Sequence, residues 1–182
     1  MTLYVVLGAV ILVLSYSVYI YNSLIKLGNN VEEAFATMDV YLKKRWDLIP
    51  NIVETVKGYA AHEKETLESI VELRSRTYDN LSLNDKLTTN EKLTEKLAVL
   101  KLQVENYPDL KANEVFLDLS AQLVKVEDEI AQSRKYFNAV VKNFNNKVEM
   151  FPSNLLAGIF GYKTKTMFEV GIQERENVKV QL

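Results

Sequence analysis

His62-Glu63 is the only place in this 182-residue sequence where an imidazole stands beside a carboxylate, the pairing a zinc hydrolase requires. Zincins place a second histidine four residues after the first on one helix face, with a glutamate between them as general base. Here position 66 is Thr66, and the sequence contains one histidine in all. A histidine-built zinc site within one chain is therefore excluded, and His62 reads as a half-exposed residue near a helix start. There is no cysteine nucleophile and no Gly-rich phosphate loop, and with one histidine no Ser-His-acid set assembles.

Three further groupings carry charge. Glu127, Asp128 and Glu129 are consecutive, so on a helix they point around the axis and cannot share one face. Di-metal carboxylate bundles use Glu-x-x-His pairs, whereas Ile130, Ala131 and Gln132 follow this trio at that spacing. Lys43-Lys44-Arg45-Trp46-Asp47 reads two ways. It is a basic patch with an aromatic anchor for lipid or a partner, or a surface pair of Lys43 with Asp47 at i,i+4, leaving Arg45 and Asp47 for a polar clamp near Pro50. Glu127, Arg134, Asn138 and Asn145 recur at steps of seven, four and seven, a narrow polar stripe on one helix. Such a stripe is an internal network that fixes register or a strip that faces a partner. No catalytic, cofactor-binding or metal-binding residue is assigned, and an enzyme would need a carboxylate site shared between chains.

The elements that position these residues are helical. Leu24, Leu27, Val31, Phe35, Met38, Leu42 and Ile49 form one apolar stripe at spacings of three, four and seven. Pro50 should interrupt or kink that helix, which resumes through Asn51–Tyr59, with another over His62–Tyr78. Residues 79–90 hold turn-prone Asp, Asn and Ser. Thr88-Thr89-Asn90-Glu91 then fits a capping box opening a third helix to about Asn106. The last long helix, Asn113 to Glu149, carries Phe116, Leu119, Leu123, Val126, Ile130, Ser133, Phe137, Val140 and Phe144 as a packing seam. Phe151-Pro152 ends it, and from Met167, Phe168 and Glu169 the tail is expected to be loosely ordered. Period-2 alternation is missing before residue 165. The expected fold is all-α: an N-terminal transmembrane helix continuing into an antiparallel up-and-down four-helix bundle. Residues 1–25 form the anchor, 26–150 the bundle and 151–182 a partly ordered tail.

Met1 to Ile25 carries no charged side chain. Leu3 to Tyr21 spans roughly 28 Å as a helix, close to the hydrocarbon thickness of about 30 Å. It lacks the basic n-region and short apolar core of a cleaved signal, and its nearest small-residue pair, Ser15 and Ser17, is followed by the apolar Val18 to Ile20, so it reads as a retained single-pass anchor. Lys26, Lys43, Lys44 and Arg45 follow the span and no basic side chain precedes it. The positive-inside rule therefore puts the amino terminus outside and the bundle in the cytoplasm. A net charge of −2 gives no basic field for nucleic acid.

Residues 21–63 (YNSLIKLGNNVEEAFATMDVYLKKRWDLIPNIVETVKGYAAHE) closely resemble the LemA family. So do Tyr107-Pro108-Asp109-Leu110-Lys111-Ala112-Asn113, Phe116, Leu119, Leu123, Glu127, Ile130-Ala131, Arg134, Asn138 and Phe151-Pro152. The resemblance implies a small bacterial or archaeal protein with a membrane helix and a cytoplasmic helical bundle, and it supplies neither reaction nor substrate. Gly28, Phe35, Phe137 and Phe144 depart from it, where a basic residue, tryptophan and two tyrosines are usual. The expected function is a non-enzymatic, membrane-anchored scaffold or adaptor for protein partners, including copies of itself. A membrane-remodelling or lipid-surface-binding bundle is the alternative.

Overall fold

The computed structural model describes residues 1–74 and 78–168, and every regular element among them is helical. The first helix, α1, runs from Thr2 to Lys57 without a break. Of the two expected effects of Pro50, an interruption or a kink, the interruption does not occur. The proline removes one backbone donor, but Ile49, Ile52, Val53 and Val56 around it are all buried, and their packing holds the helix together. Two short 3₁₀ turns, Ala61–Glu63 and Tyr78–Asn80, flank α2 (Lys64–Leu73); then come α3 (Leu83–Val104), α4 (Pro108–Lys111), α5 (Glu114–Glu149) and α6 (Ser153–Ile159).

The expected start of the third helix is also corrected. Ser82, not a threonine at 88 or 89, is the N-cap of α3, its hydroxyl accepting the Asp85 amide at 3.2 Å and donating to the Asp85 carboxylate at 2.7 Å. Ser82-Leu83-Asn84-Asp85 is thus the capping sequence. The longer helix places Asn90, Leu93, Leu97, Leu100 and Val104 on one buried line, at alternating steps of three and four.

The chain forms two compact units, Met1–Met38 with Gln132–Leu182, and Asp39–Ala131, to both of which α1 and α5 contribute. In the second unit Leu42, Ile49, Val56, Ile70, Leu93, Leu110 and Ile130 are buried. Burial of each such side chain contributes about 1.5–3 kcal/mol. Trp46 packs on Tyr78 at 5.3 Å between ring centroids and is 4% exposed, so it is a core residue and not a lipid-facing anchor. Tyr107 donates to Glu63 at 3.0 Å and Asn113 to the Tyr59 hydroxyl at 3.0 Å, tying the α4 region to the turn after α1.

In the first unit α1 contributes Ile20, Leu24, Val31, Ala34 and Met38 to the core, and α5 contributes Ser133, Phe137, Val141 and Phe144. Val141 takes the buried place expected of Val140, because a four-residue step from Phe137 and a three-residue step to Phe144 keep the face. Phe137 meets Phe35 and Phe168 at 6.2 and 5.7 Å, and the Gly28 backbone approaches the Phe144 ring. After α6 the chain reverses through Gly161, whose φ of +73° suits glycine. There the Tyr162 amide reaches the Ala157 carbonyl at 2.9 Å, a Schellman closure.

Beyond that turn, residues 162–168 run outside any helix and are clasped by two asparagines. Asn138 exchanges two hydrogen bonds with the Phe168 backbone (2.9 and 2.8 Å), and Asn145 does the same with Lys165 (2.8 and 2.8 Å). Seven helical residues advance about 10.5 Å, and three residues bridge that distance only when nearly fully extended. Spacing on the helix and spacing along the run therefore match. Phe168 is buried here, and Met167 stands exposed; the tail from Glu169 onward lies outside the described residues. Replacing both asparagines, Asn138→Ala with Asn145→Ala, removes four hydrogen bonds, each worth about 1 kcal/mol net. Trypsin cleavage after Lys163 and Lys165 should then accelerate severalfold in the detergent-solubilised chain. Unchanged cleavage would show that the clasps do not hold the run.

Candidate functional site

Arg45 is the pivot of the second unit. It occupies the gap that the apolar stripe of α1 leaves between Leu42 and Ile49, at steps of three and four, and is 0% exposed. From there it reaches α3 and α5. One terminal nitrogen donates to both Glu127 carboxylate oxygens at 2.8 and 3.0 Å and to the Thr94 hydroxyl at 2.9 Å. The other donates to the Asn90 carbonyl at 2.8 Å and to the Asn90 side-chain oxygen. Asn90 in turn donates to the Lys86 carbonyl at 2.8 Å, which fixes its own orientation. Arg45 Nε has no hydrogen-bond partner among the described residues.

The sequence-derived groupings are redistributed by this arrangement. Asp47 is exposed and bonded to Lys43 at 2.7 and 2.9 Å; it is not joined to Arg45, whose acidic partner is Glu127. The polar stripe of α5 serves two purposes within the chain. Glu127 holds Arg45 in the second unit, while Asn138 and Asn145 clasp residues 162–168 in the first, where Arg134 lies over the Phe168 ring at 5.1 Å. Asn90 and Thr94 were missed from sequence. Their signal is a polar side chain at the Asn90 position of a line that otherwise reads Leu93, Leu97, Leu100. His62 is exposed, and Glu63 beside it accepts from Tyr107. Among the described residues no three or more His, Cys, Asp or Glu side chains gather to hold a metal ion.

Thr94 and Glu127 also line an open groove of about 480 Å³. Its walls are apolar, from Ile52 of α1, Leu97 and Val104 of α3, and Phe116, Leu117 and Val124 of α5, with Lys101, Glu105 and Lys111 at the rim. Lys111 and Glu105 pair at 2.5 Å, which holds the Glu105 carboxyl below its usual range. The groove thus combines apolar walls with charged side chains, Glu127 among them.

A second polar cluster joins α1 to the turn before α3. The Tyr78 phenol donates to Asp39 at 2.5 Å, Lys86 donates to the other Asp39 oxygen at 2.8 Å, and Lys86 also lies 4.5 Å from the Tyr78 ring centre. Burial first, and then the Asp39 carboxylate, push the Tyr78 phenol far above its ordinary value near 10.

An exposed apolar N-terminal helix, with regular elements that are all helical among the described residues, defines the class: a membrane-associated α-helical protein. The sequence profile of the LemA family matches residues 34–182, and the chain belongs to that family. It is 26% identical to Protein LemA of Metamycoplasma hominis over 166 residues, covering 90% of this chain and 76% of that one. It is 33% identical to Magnetosome protein MamQ 2 of Paramagnetospirillum magneticum over 73 residues, which is 40% of this chain and 27% of that protein. Magnetosome protein MamQ of Magnetospirillum gryphiswaldense is 25% identical over 174 residues, spanning 81% of this chain and 64% of its own length. The chain therefore covers less than two thirds of each of these two MamQ proteins.

Two outcomes test the site. Glu127→Ala strands a guanidinium that has no solvent access and should cost about 3 kcal/mol of unfolding free energy. Arg45→Met should cost less, because the Glu127 side chain is 34% exposed and can hydrate. The reverse order in urea titrations of the detergent-solubilised chain would contradict the arrangement. For Tyr78, a raised folded pKa gives stability that is full below about pH 10 and lost as pH climbs past the unfolded value toward the folded one. Tyr78→Phe should therefore cost about 1 kcal/mol at pH 8, and that deficit should shrink by pH 11. A constant deficit across that range would count against the Tyr78–Asp39 bond.

Proposed function

We propose that this chain is a membrane-anchored scaffold or adaptor that carries out no reaction of its own. In this reading the apolar segment crosses the bilayer once with the amino terminus outside. Residues 26–150 form an antiparallel, up-and-down four-helix bundle in the cytoplasm, and 151–182 form its tail. The observation that supports it most is the passage of α1, without a break, from exposed apolar residues into buried core at Ile20 and Leu24. Anything bound to the helical body is then held at the membrane through a continuous helix and not a flexible linker. Only 6% of the most apolar 18-residue window of α1 is buried, which favours lipid as its surroundings over a protein core. The placing of Lys26 and the Lys43–Arg45 cluster after the span favours the orientation. The apolar groove with its charged rim has the makings of a surface for a helix of another protein or of a second copy.

Photo-crosslinking from Leu117 or Val124 in native membranes tests the reading. Discrete protein adducts are expected from these groove positions and not from Lys142. Identical adduct patterns from all three sites would speak against a partner surface in the groove. Stoichiometric zinc or iron in the purified chain would favour an enzyme instead.

A further inference from the structure

From Met150 to Tyr162 the chain carries no charged residue, yet much of this stretch is exposed. Phe151 and Ile159 are 79% and 75% exposed, and Met150, Leu155 and Phe160 are also uncovered. Leu155 and Ile159 are four residues apart on α6 and share its outer face, while Ser153 and Ala157, also four apart, are buried on the inner one. The inner face has a definite seat. Ala157 packs with Ile20 and Leu24 of α1, with Val148, Leu156 and Tyr162 around them, and the Phe160 ring lies 4.7 Å from that of Tyr21.

That seat fixes the height of α6 along α1. Ile20 and Leu24 straddle the end of the apolar Leu3–Tyr21 span, and three residues past Tyr21 amount to about 4.5 Å. The headgroup layer on each side of a bilayer is about 5–7 Å deep, and interfacial helices bury their apolar face about 5–10 Å into the headgroup and acyl boundary. The surroundings suit that layer. Lys147 lies over the Tyr19 ring at 5.7 Å, and Lys26 and Lys163 are exposed near the two ends of the contact. Aromatic rings and snorkelling lysines at this depth meet anionic headgroups while the apolar face meets acyl chains.

We propose that residues 150–160 are a second membrane contact, lying in the plane of the leaflet from which α1 emerges, with lipid acyl chains against Phe151, Leu155 and Ile159. The contact rests on the reading of Leu3–Tyr21 as a transmembrane anchor and is continuous with it. Two attachments at one leaflet fix the rotation of α1 about its own axis, which a lone spanning helix leaves free.

The sequence has no cysteine, so single-cysteine variants of the full chain carry an environment-sensitive NBD label at one chosen site. In liposomes of phosphatidylcholine with anionic phosphatidylglycerol, labels at Leu155 and Ile159 should be blue-shifted and quenched by lipids spin-labelled near the headgroup. A label at Leu12 should be quenched by lipids spin-labelled deep in the chain, and one at Tyr136 should remain water-like. A quenched Leu12 label with water-like labels at 155 and 159 overturns the second contact and leaves the anchor standing. A water-like Leu12 label overturns the anchor itself. Blue shifts at 155 and 159 that vanish on dilution of protein in excess lipid would assign the face to a second copy and also overturn the proposal.

Discussion

A guanidinium buried on an otherwise apolar seam constrains the second unit more than any other interaction. The Arg45 guanidinium has no solvent exposure, so the protein must bring its acceptors to it. Those acceptors come from two other helices: the backbone and side chain of Asn90 and the hydroxyl of Thr94 on α3, and the carboxylate of Glu127 on α5. A slip of one turn in either helix would strip a buried charge of the partners that helix supplies, at a cost of several kcal/mol. Leucine and isoleucine on the same seam tolerate such a slip, because apolar contact is non-directional. The polar centre therefore contributes register more than gross stability, and the apolar groove beside it inherits a fixed shape.

In the first unit register is set differently. Asn138 and Asn145 read the backbone of residues 162–168, a segment with little regular hydrogen bonding of its own. The clasps lay this run along α5 and place Phe168 on Phe137. Phe137 meets Phe35 and Phe168 edge-on, and Phe144 meets Tyr162 in the same way, so ring packing holds this face of α5. The start of α1 reaches this unit directly, at Ile20 and Leu24. The exposed apolar segment and the domain core thus share one helix.

Much of this was legible in the residues. The periodic stripes of the first and last long helices locate α1 and α5 to within a few residues, and the 149/150 end of α5 follows from Phe151-Pro152. Asn138 and Asn145 stood out by their spacing, but the backbone they clasp could not be named, since any extended segment offers the same groups. Arg45 was hidden by its neighbours. In the string Lys43-Lys44-Arg45 charge alone does not tell the buried member from the exposed ones; only the missing step between Leu42 and Ile49 does. Asn90 was lost because turn-prone residues at 79–90 suggested a loop, whereas the Ser82 cap and tertiary packing carried helix through them. At Pro50 local propensity pointed to a break or a kink, and the helix carries through without a break, with buried residues on both sides.

The register claim is tested most directly by a double-mutant cycle on Arg45→Met and Glu127→Ala, read from the unfolding free energies of the four detergent-solubilised chains. If the pair binds α1 to α5 as described, the double variant should be less destabilised than the sum of the singles by more than about 1.5 kcal/mol. Additivity to within about 0.5 kcal/mol would mean that the two side chains act independently. The buried guanidinium would then not be what fixes the helices.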